Sequence, residues 1–339
     1  MIRRIIKRSK LAVKNSKLAV KKSKRYAQDI GLGKGEWIKV FVDYEISRAF
    51  YDFSQDDYFV IGNGYTLSRY EKKRFFTSRL ARRWLWHNAN VNDPQYIHFL
   101  RNKVEALELF NEFVSREWLY APKSSFSEFM DFVNKTPVFI AKPVDRYEGE
   151  GIEKHSTSGV SEEELKTLYN YLVTNGMLLE ECLKAHDDIY LGTKSLNTFR
   201  LYTMMDGKGE VHVLKAKYRA GTGDAITDTA EGCIAYPISI EYGVIEGPGI
   251  NEVLNSKNYF YHPGSDKLVV GMKIPMWNRV LEVVTEAAKK IPQVRYIGWD
   301  IAVTNDGVEL IEGNNYPYTG TFEIMGIERL WWPKIKALI

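Results

Sequence analysis

The sequence predicts an α+β fold built on antiparallel sheets, and three observations carry that expectation. Helical and strand periodicities follow one another irregularly along the chain, without the strict βα alternation of a parallel sheet. No GxGxxG follows a strand-like run and no GxxxxGK(S/T) segment occurs, so neither a Rossmann nor a P-loop arrangement is offered. The stretch WDIAVTNDGVELIEGNNY (299–316) sets two apolar, β-branched runs on either side of Asn305-Asp306-Gly307, which is the turn chemistry of a hairpin.

Taken in order, residues 1–25 hold eleven Lys or Arg and no acid. Over residues 9–29 runs a seven-residue repeat: SKLAVKN, SKLAVKK, SKRYAQD. Wound as a helix, this segment puts Ile2, Ile5, Ile6, Ala12, Val13, Ala19 and Val20 on a narrow stripe among lysines. Three alanine-rich heptads do not specify a coiled coil. A basic amphipathic helix suits an anionic membrane surface, where each basic residue contributes roughly 1 kcal/mol. A solvated terminal helix or linker, and a nucleic-acid-binding arm, are the alternatives.

Residues 26–135 are expected to form a helical or α/β region, aromatic-rich from 36 to 100. Helical periodicity covers 101–116 through Val104, Leu107, Phe110, Phe113 and Val114. A strand is expected at 138–142, ended by Pro143. A polar segment with Gly149, Gly151 and Gly159 follows it. Ser161 and the acids 162–164 open a helix running to Thr174. Strands are expected at 177–182, 198–205, 210–217 and 232–239, then a helix at 276–290 before Pro292, then the hairpin. The expected divisions are 1–25, 26–135, 136–190 and 191–339.

The composition, 45% hydrophobic and 27% charged over 339 residues, is that of a globular protein with two or three subdomains. No run of eighteen apolar residues predicts a membrane-spanning helix. Cys182 and Cys233 make no disulfide framework and are expected in the core, and no signal peptide is evident, so a reducing cytoplasmic location is the default. The net charge of +4 is unevenly spread: without residues 1–25 the chain has 36 basic and 43 acidic residues, about −7. A body of that charge argues against nucleic acid as a partner.

The chemistry starts from the hairpin. A three-residue loop centred on Asp306, with Gly307 at positive φ, would pair Thr304 with Val308, Ala302 with Leu310 and Asp300 with Glu312. Two carboxylates placed opposite each other repel, and Asn314 shares their face by strand alternation. A divalent cation would turn that repulsion into attraction, and hard oxygen ligands suit Mg²⁺, with Mn²⁺ also acceptable. A solvated hairpin edge is the alternative, against which stand the apolar neighbours Ile301, Val303, Leu310 and Ile311. Lys142 ends an apolar strand ahead of a glycine-bearing loop whose N–H groups could surround phosphates; an edge lysine reaching to water is the alternative. Glu180 and Glu181 end a short apolar strand that could line a nucleotide slot. Asn197 and Arg200 flank a strand start, where an arginine could clamp a phosphoryl group or simply pair at the surface. His262 is expected to be structural.

These pieces in this order resemble the sugar-transfer-associated family of the ATP-grasp superfamily. The resemblance rests on NKVEALELF, PVFIAKP, LLEECL, SLNTFRLYT, EGCIAYPISIEYGVI, HPGSDKLVVGMKIPMW and YIGWDIAVTNDGVELIEGN, and covers roughly residues 95–325. It implies two α+β subdomains clasping ATP between antiparallel sheets, preceded by a small N-terminal region and the basic helix. By the same resemblance Lys142 contacts ATP phosphates, Lys103 is the cofactor-binding lysine that opens the preceding helix, Gly149 and Gly151 lie in the phosphate-covering loop, and Glu180 and Glu181 fall at the adenine and ribose hinge. Arg200, with Asn197 beside it, lies near the γ-phosphate; Arg219 and Asp228 lie near the acceptor; Asp300, Glu312 and Asn314 form the magnesium set. Asn102 stands where an Asp commonly precedes the lysine, and Ala220 and Thr229 also depart from relatives, which puts the acceptor in doubt. The implied activity is an ATP- and Mg²⁺-dependent carboxylate–amine ligase acting through an acylphosphate on a small-molecule or sugar carboxylate of a cell-surface precursor. A kinase that stops at phosphoryl transfer, and a membrane-docked scaffold with a degenerate nucleotide site, are the alternatives.

Overall fold

The computed structural model describes residues 2–61, 64–144, 151–193, 196–222, 233–251, 258–324 and 329–339. The chain forms two compact units, Met1–Arg83 with Tyr318–Ala337 and Trp84–Pro317 with Leu338–Ile339. The class is α+β as expected, with antiparallel sheets in the larger unit.

The smaller unit is helical. Its first helix, Ile2–Asp29, is continuous across the division expected at 25/26. Ala19, Ser23, Tyr26 and Ala27 lie on its inner face and join Val40, Tyr44, Phe53, Tyr58 and Phe75 in the core. That aromatic core accounts for the dense Tyr and Phe content of residues 36–76, and edge-on rings such as Tyr44–Tyr58, 5.3 Å apart, fill it. Residues Tyr318–Ala337 belong to this unit and not to the C-terminal body expected for 191–339. Buried Glu323 accepts N–H bonds from Phe76 at 2.9 Å, Leu330 at 3.0 Å and Trp331 at 3.1 Å, and Trp332 stacks on Phe76.

The larger unit holds two sheets. The four-stranded one runs β1 (Trp118–Tyr120), β4 (Met177–Glu181), β2 (Val138–Pro143), β3 (Glu153–Ser156). Phe139, Ala141, Met177 and Leu179 point to one face, packed by the helices Phe126–Lys135 and Glu162–Thr174. Strand alternation puts Lys142, Leu178 and Glu180 on the other. Both helices open with capping boxes, Ser125 with Glu128 and Ser161 with Glu164. This sheet starts at 118, earlier than the expected 136.

The seven-stranded sheet runs β11 (Val308–Asn314), β10 (Tyr296–Val303), β5 (Thr198–Met205), β6 (Val211–Gly221), β7 (Cys233–Ile238), β8 (Gly249–Ile250), β9 (Asn258–Tyr259). One face (Phe199, Leu201, Ala216, Tyr218, Tyr236, Trp299, Ile301, Leu310) buries against the helix Trp277–Lys290, whose Val280, Val283, Val284 and Ala287 are fully enclosed. Cys233 is buried and Cys182 half-buried, and neither is in a disulfide among the described residues.

Two local expectations change. The helix expected over 101–116 is interrupted: it spans Lys103–Leu109, then a 3-10 turn at Asn111–Phe113. Asn102 caps it, its Oδ1 accepting from Val104 N at 3.1 Å and Glu105 N at 3.3 Å. Asn and Asp cap equally well, so the substitution of Asn for Asp at 102 leaves this helix start intact. In the hairpin, Val303 pairs with Val308 across a four-residue loop, so Thr304 does not face Val308 and Ala302 faces Glu309, not Leu310. Thr304 Oγ1 accepts from the N–H groups of Asp306 and Gly307, both at 3.1 Å, which widens the turn, and Gly307 is near extended at φ 159°. A bulge at Ile311 then restores the frame, so Asp300 and Glu312 are cross-strand partners after all.

Candidate active site

The face of the large sheet opposite its core is charged. In register across four strands lie Glu312 (β11), Asp300 (β10), Arg200 (β5) and Lys217 (β6). Asn314 is opposite Gly298, Lys215 opposite Tyr202, and Arg219 opposite Thr198 on the same face. Period two produces this: β6 reads Lys215, Lys217, Arg219 between Ala216, Tyr218 and Ala220, so cations and core residues alternate.

Arg200 grips Asp300 in a forked ion pair, its Nε donating to Oδ1 at 2.6 Å and its Nη2 to Oδ2. Arg219 Nη1 lies 3.5 Å from Oδ2. Burial works against the Asp300 charge, but Arg200, and then Arg219, outweigh it and hold its carboxyl below the ordinary value. Glu312 is served less well. Arg200 is 3.8 Å away and Asn314 Nδ2 donates to Oε1 at 3.1 Å. Its side chain is 46% exposed as a whole, while the surrounding protein desolvates its carboxyl. That desolvation first, and the adjacent Asp300 charge second, push it above the ordinary value. Two acids and an amide oxygen side by side, with the second acid only partly compensated, fit a hard divalent cation. Among the described residues, no group of three or more His, Cys, Asp or Glu is placed to hold a metal, so such an ion would rest on this mixed set.

Asn197 precedes β5. Its Oδ1 accepts from Gly221 N at 3.1 Å, and its buried Nδ2 has no partner among the described residues.

On the four-stranded sheet Lys142 pairs directly with Glu180. Arg116 also donates to Glu180, from Nε at 2.9 Å and Nη2 at 2.7 Å, and reaches Glu309 at 3.3 Å and Leu310 O at 2.8 Å. Burial opposes the Glu180 charge, but Lys142 and Arg116 hold its carboxyl at about 2. Lys103 Nζ donates to the carbonyls of Pro143 and Val144 at 3.1 and 3.2 Å, tying its helix to the end of the Lys142 strand. Exposed Glu181 accepts from Glu117 N at 3.2 Å. Gly151 has φ 75°, a conformation natural to glycine. Gly149, Asp228 and Thr229 lie outside the described residues. His262 is buried, with Nε2 2.8 Å from Gly221 O and Nδ1 3.1 Å from Ser265 Oγ, a structural placement.

The structure therefore brings Arg200, Arg219, Asp300, Glu312 and Asn314 together on one sheet face, and Lys142 with Glu180 on another. It adds Lys215 and Lys217, which the alternation in VHVLKAKYRAG could have revealed. It also adds Arg116 and Glu309, whose ion pair joins residues 193 apart.

No curated protein matches this chain. Residues 87–332 match the family described as sugar-transfer associated ATP-grasp. Among solved structures, the ATP-grasp ligase PsnB complexed with minimal precursor, Mg and ADP is 16% identical (TM-score 0.44), covering 73% of this chain and 60% of that one. D-alanyl-alanine synthetase A from Vibrio cholerae is 10% identical (0.45; 73% and 67%). N5-carboxyaminoimidazole synthetase from Staphylococcus aureus complexed with ADP is 12% identical (0.42; 67% and 47%). The chain thus spans less than two thirds of the PsnB ligase chain. With the family match covering well over half of its length, the chain belongs to the sugar-transfer associated ATP-grasp family.

Proposed function

We propose that this protein is an ATP- and Mg²⁺-dependent carboxylate–amine ligase. The observation that carries it is the row Glu312–Asp300–Arg200–Lys217, which sets two acids against a bank of buried cations on one polar face. The cations suit a polyphosphate. The acids, with Asn314, would hold the Mg²⁺ that neutralises phosphate charge when bound. Arg200 and Lys142 would face the transferring phosphoryl group, Lys103 and Asn197 the phosphates, Glu180 and Glu181 the nucleoside, and Arg219 the acceptor end. Gly149 and Gly151 would border the phosphates.

A substrate carboxylate oxygen attacks the γ-phosphorus, and the bond to the β–γ bridging oxygen breaks, releasing ADP. An amine then attacks the acyl carbon, the carbon–oxygen bond of the acylphosphate breaks, and phosphate leaves as the amine nitrogen loses a proton. This needs positioning and charge stabilisation more than a protein nucleophile. The family's association with sugar transfer supports a sugar carboxylate, or a cell-surface polysaccharide precursor, as the group activated. The test is ADP release against uronic-acid sugars and amino acids. Release that requires both a carboxylate and an amine supports the ligase; release with a carboxylate alone would identify a kinase. The membrane contact expected of the basic N-terminus is independent of this chemistry.

A further inference from the structure

The helix Trp37–Phe50 of the smaller unit has two apolar faces. Val40, Tyr44 and Ser47 are buried in the core. On the outer side, Ile38, Val42, Ile46 and Phe50 recur every fourth residue and remain 53%, 50%, 46% and 77% exposed. By contrast, the helix Trp277–Lys290 buries its whole apolar stripe. Four large side chains in line on one helix make a continuous open patch of the sort that marks an interaction surface.

Charge says what covers it. The smaller unit carries 24 Lys or Arg against 10 Asp or Glu, a net charge of +14, whereas the rest of the chain is −10. In the part of the first helix whose side chains are described, the inner face is already taken by the core. Lys17, Lys21, Lys24 and Arg25 stay exposed on the outer one. Lys24 Nζ lies 4.8 Å from the ring of Trp37, the first residue of the striped helix, so the cationic helix and the apolar one adjoin.

We propose that this unit docks on an anionic lipid bilayer, with Ile38, Val42, Ile46 and Phe50 entering the interface and the lysine-rich helix supplying the attraction. The apolar side of residues 15–29 is thereby excluded as the inserting element, because Ala19, Tyr26 and Ala27 are core residues. A second copy of this chain would bring two units of like charge together. Nucleic acid would match the charge but leave the stripe in water. A bilayer with acidic headgroups satisfies both features.

The experiment is flotation of the full-length chain with vesicles of phosphatidylcholine, with and without phosphatidylglycerol. Binding only to the anionic vesicles, weakened by salt, is expected. The combined variant Ile38→Ser, Val42→Ser, Ile46→Ser, Phe50→Ser should bind at least about tenfold more weakly at an unchanged melting temperature. Val42→Trp, whose side chain faces solvent, should bind more tightly, so the proposal survives even a poorly folding combined variant. Removing one of the exposed lysines should weaken binding about fivefold. Equal binding by wild type and the combined variant, equal binding to neutral and anionic vesicles, or a concentration-dependent dimer abolished by the serine substitutions would each overturn it.

Discussion

Around Arg116 every buried acid has a base within reach: Glu180 has Arg116 and Lys142, and Glu309 has Arg116 and the N–H of Ser115 at 3.1 Å. Around Glu312 the balance is lopsided, because Arg200 gives both its prongs to Asp300 and the second acid is left with an amide and a cation 3.8 Å off. The same residue types thus produce opposite local physics. A closed cluster is rigid and stabilising only while intact, since removal of one partner strands a buried charge. An unbalanced one is held in place by the strands around it and is ready for a ligand that supplies the missing charge.

The largest effect separating the two should come from Arg116→Ala. It leaves Glu309 without a cation and Glu180 with Lys142 alone, both acids under 8% exposed, and should lower unfolding stability by about 3–5 kcal/mol in a denaturant titration. A loss below about 1 kcal/mol would show the cluster is not closed as described.

Next comes pH. Glu180, held at about 2 against an ordinary 4.5, contributes stability that is fully present above about pH 4.5 and is lost as pH falls toward 2. This amounts to about 3 kcal/mol and should vanish from the acid limb of the stability curve in Glu180→Gln. Glu312 has the opposite sign. Its raised value means stability present below about 4.5 and lost as pH rises through the folded-state value. Glu312→Gln should therefore be at least as stable as wild type at neutral pH by thermal melting.

The smallest effect, outside both clusters, is Ser161→Ala. It removes one half of an exposed capping box and should cost about 1 kcal/mol, with no change in turnover.

Much of the sheet was legible because strand alternation and the hairpin signal are local. The pairing of Asp300 with Glu312 was reached through a register that two features altered, a longer loop and a bulge, whose shifts cancel at that pair. The bulge also explains why Glu309 escaped notice. Strict alternation from Glu312 sends residue 309 to the core side, whereas the extra residue Ile311 turns it to face Arg116. Arg116 itself had no local signal, because its partners are 64 and 193 residues away. The basic N-terminus looked like a tail because a lysine-rich helix reads the same whether or not its thin alanine side has something to pack on; Ala19 and Ala27 do.

The most direct test of the account is Mg²⁺-dependent ADP release, with a carboxylate and an amine supplied, by wild type, Asp300→Asn and Glu312→Gln. Both variants should keep the fold and lose turnover by on the order of 10²-fold or more, with Glu312→Gln melting no lower than wild type. Undiminished ADP release in either variant would contradict the assignment of this charged row as the site where phosphates and metal meet.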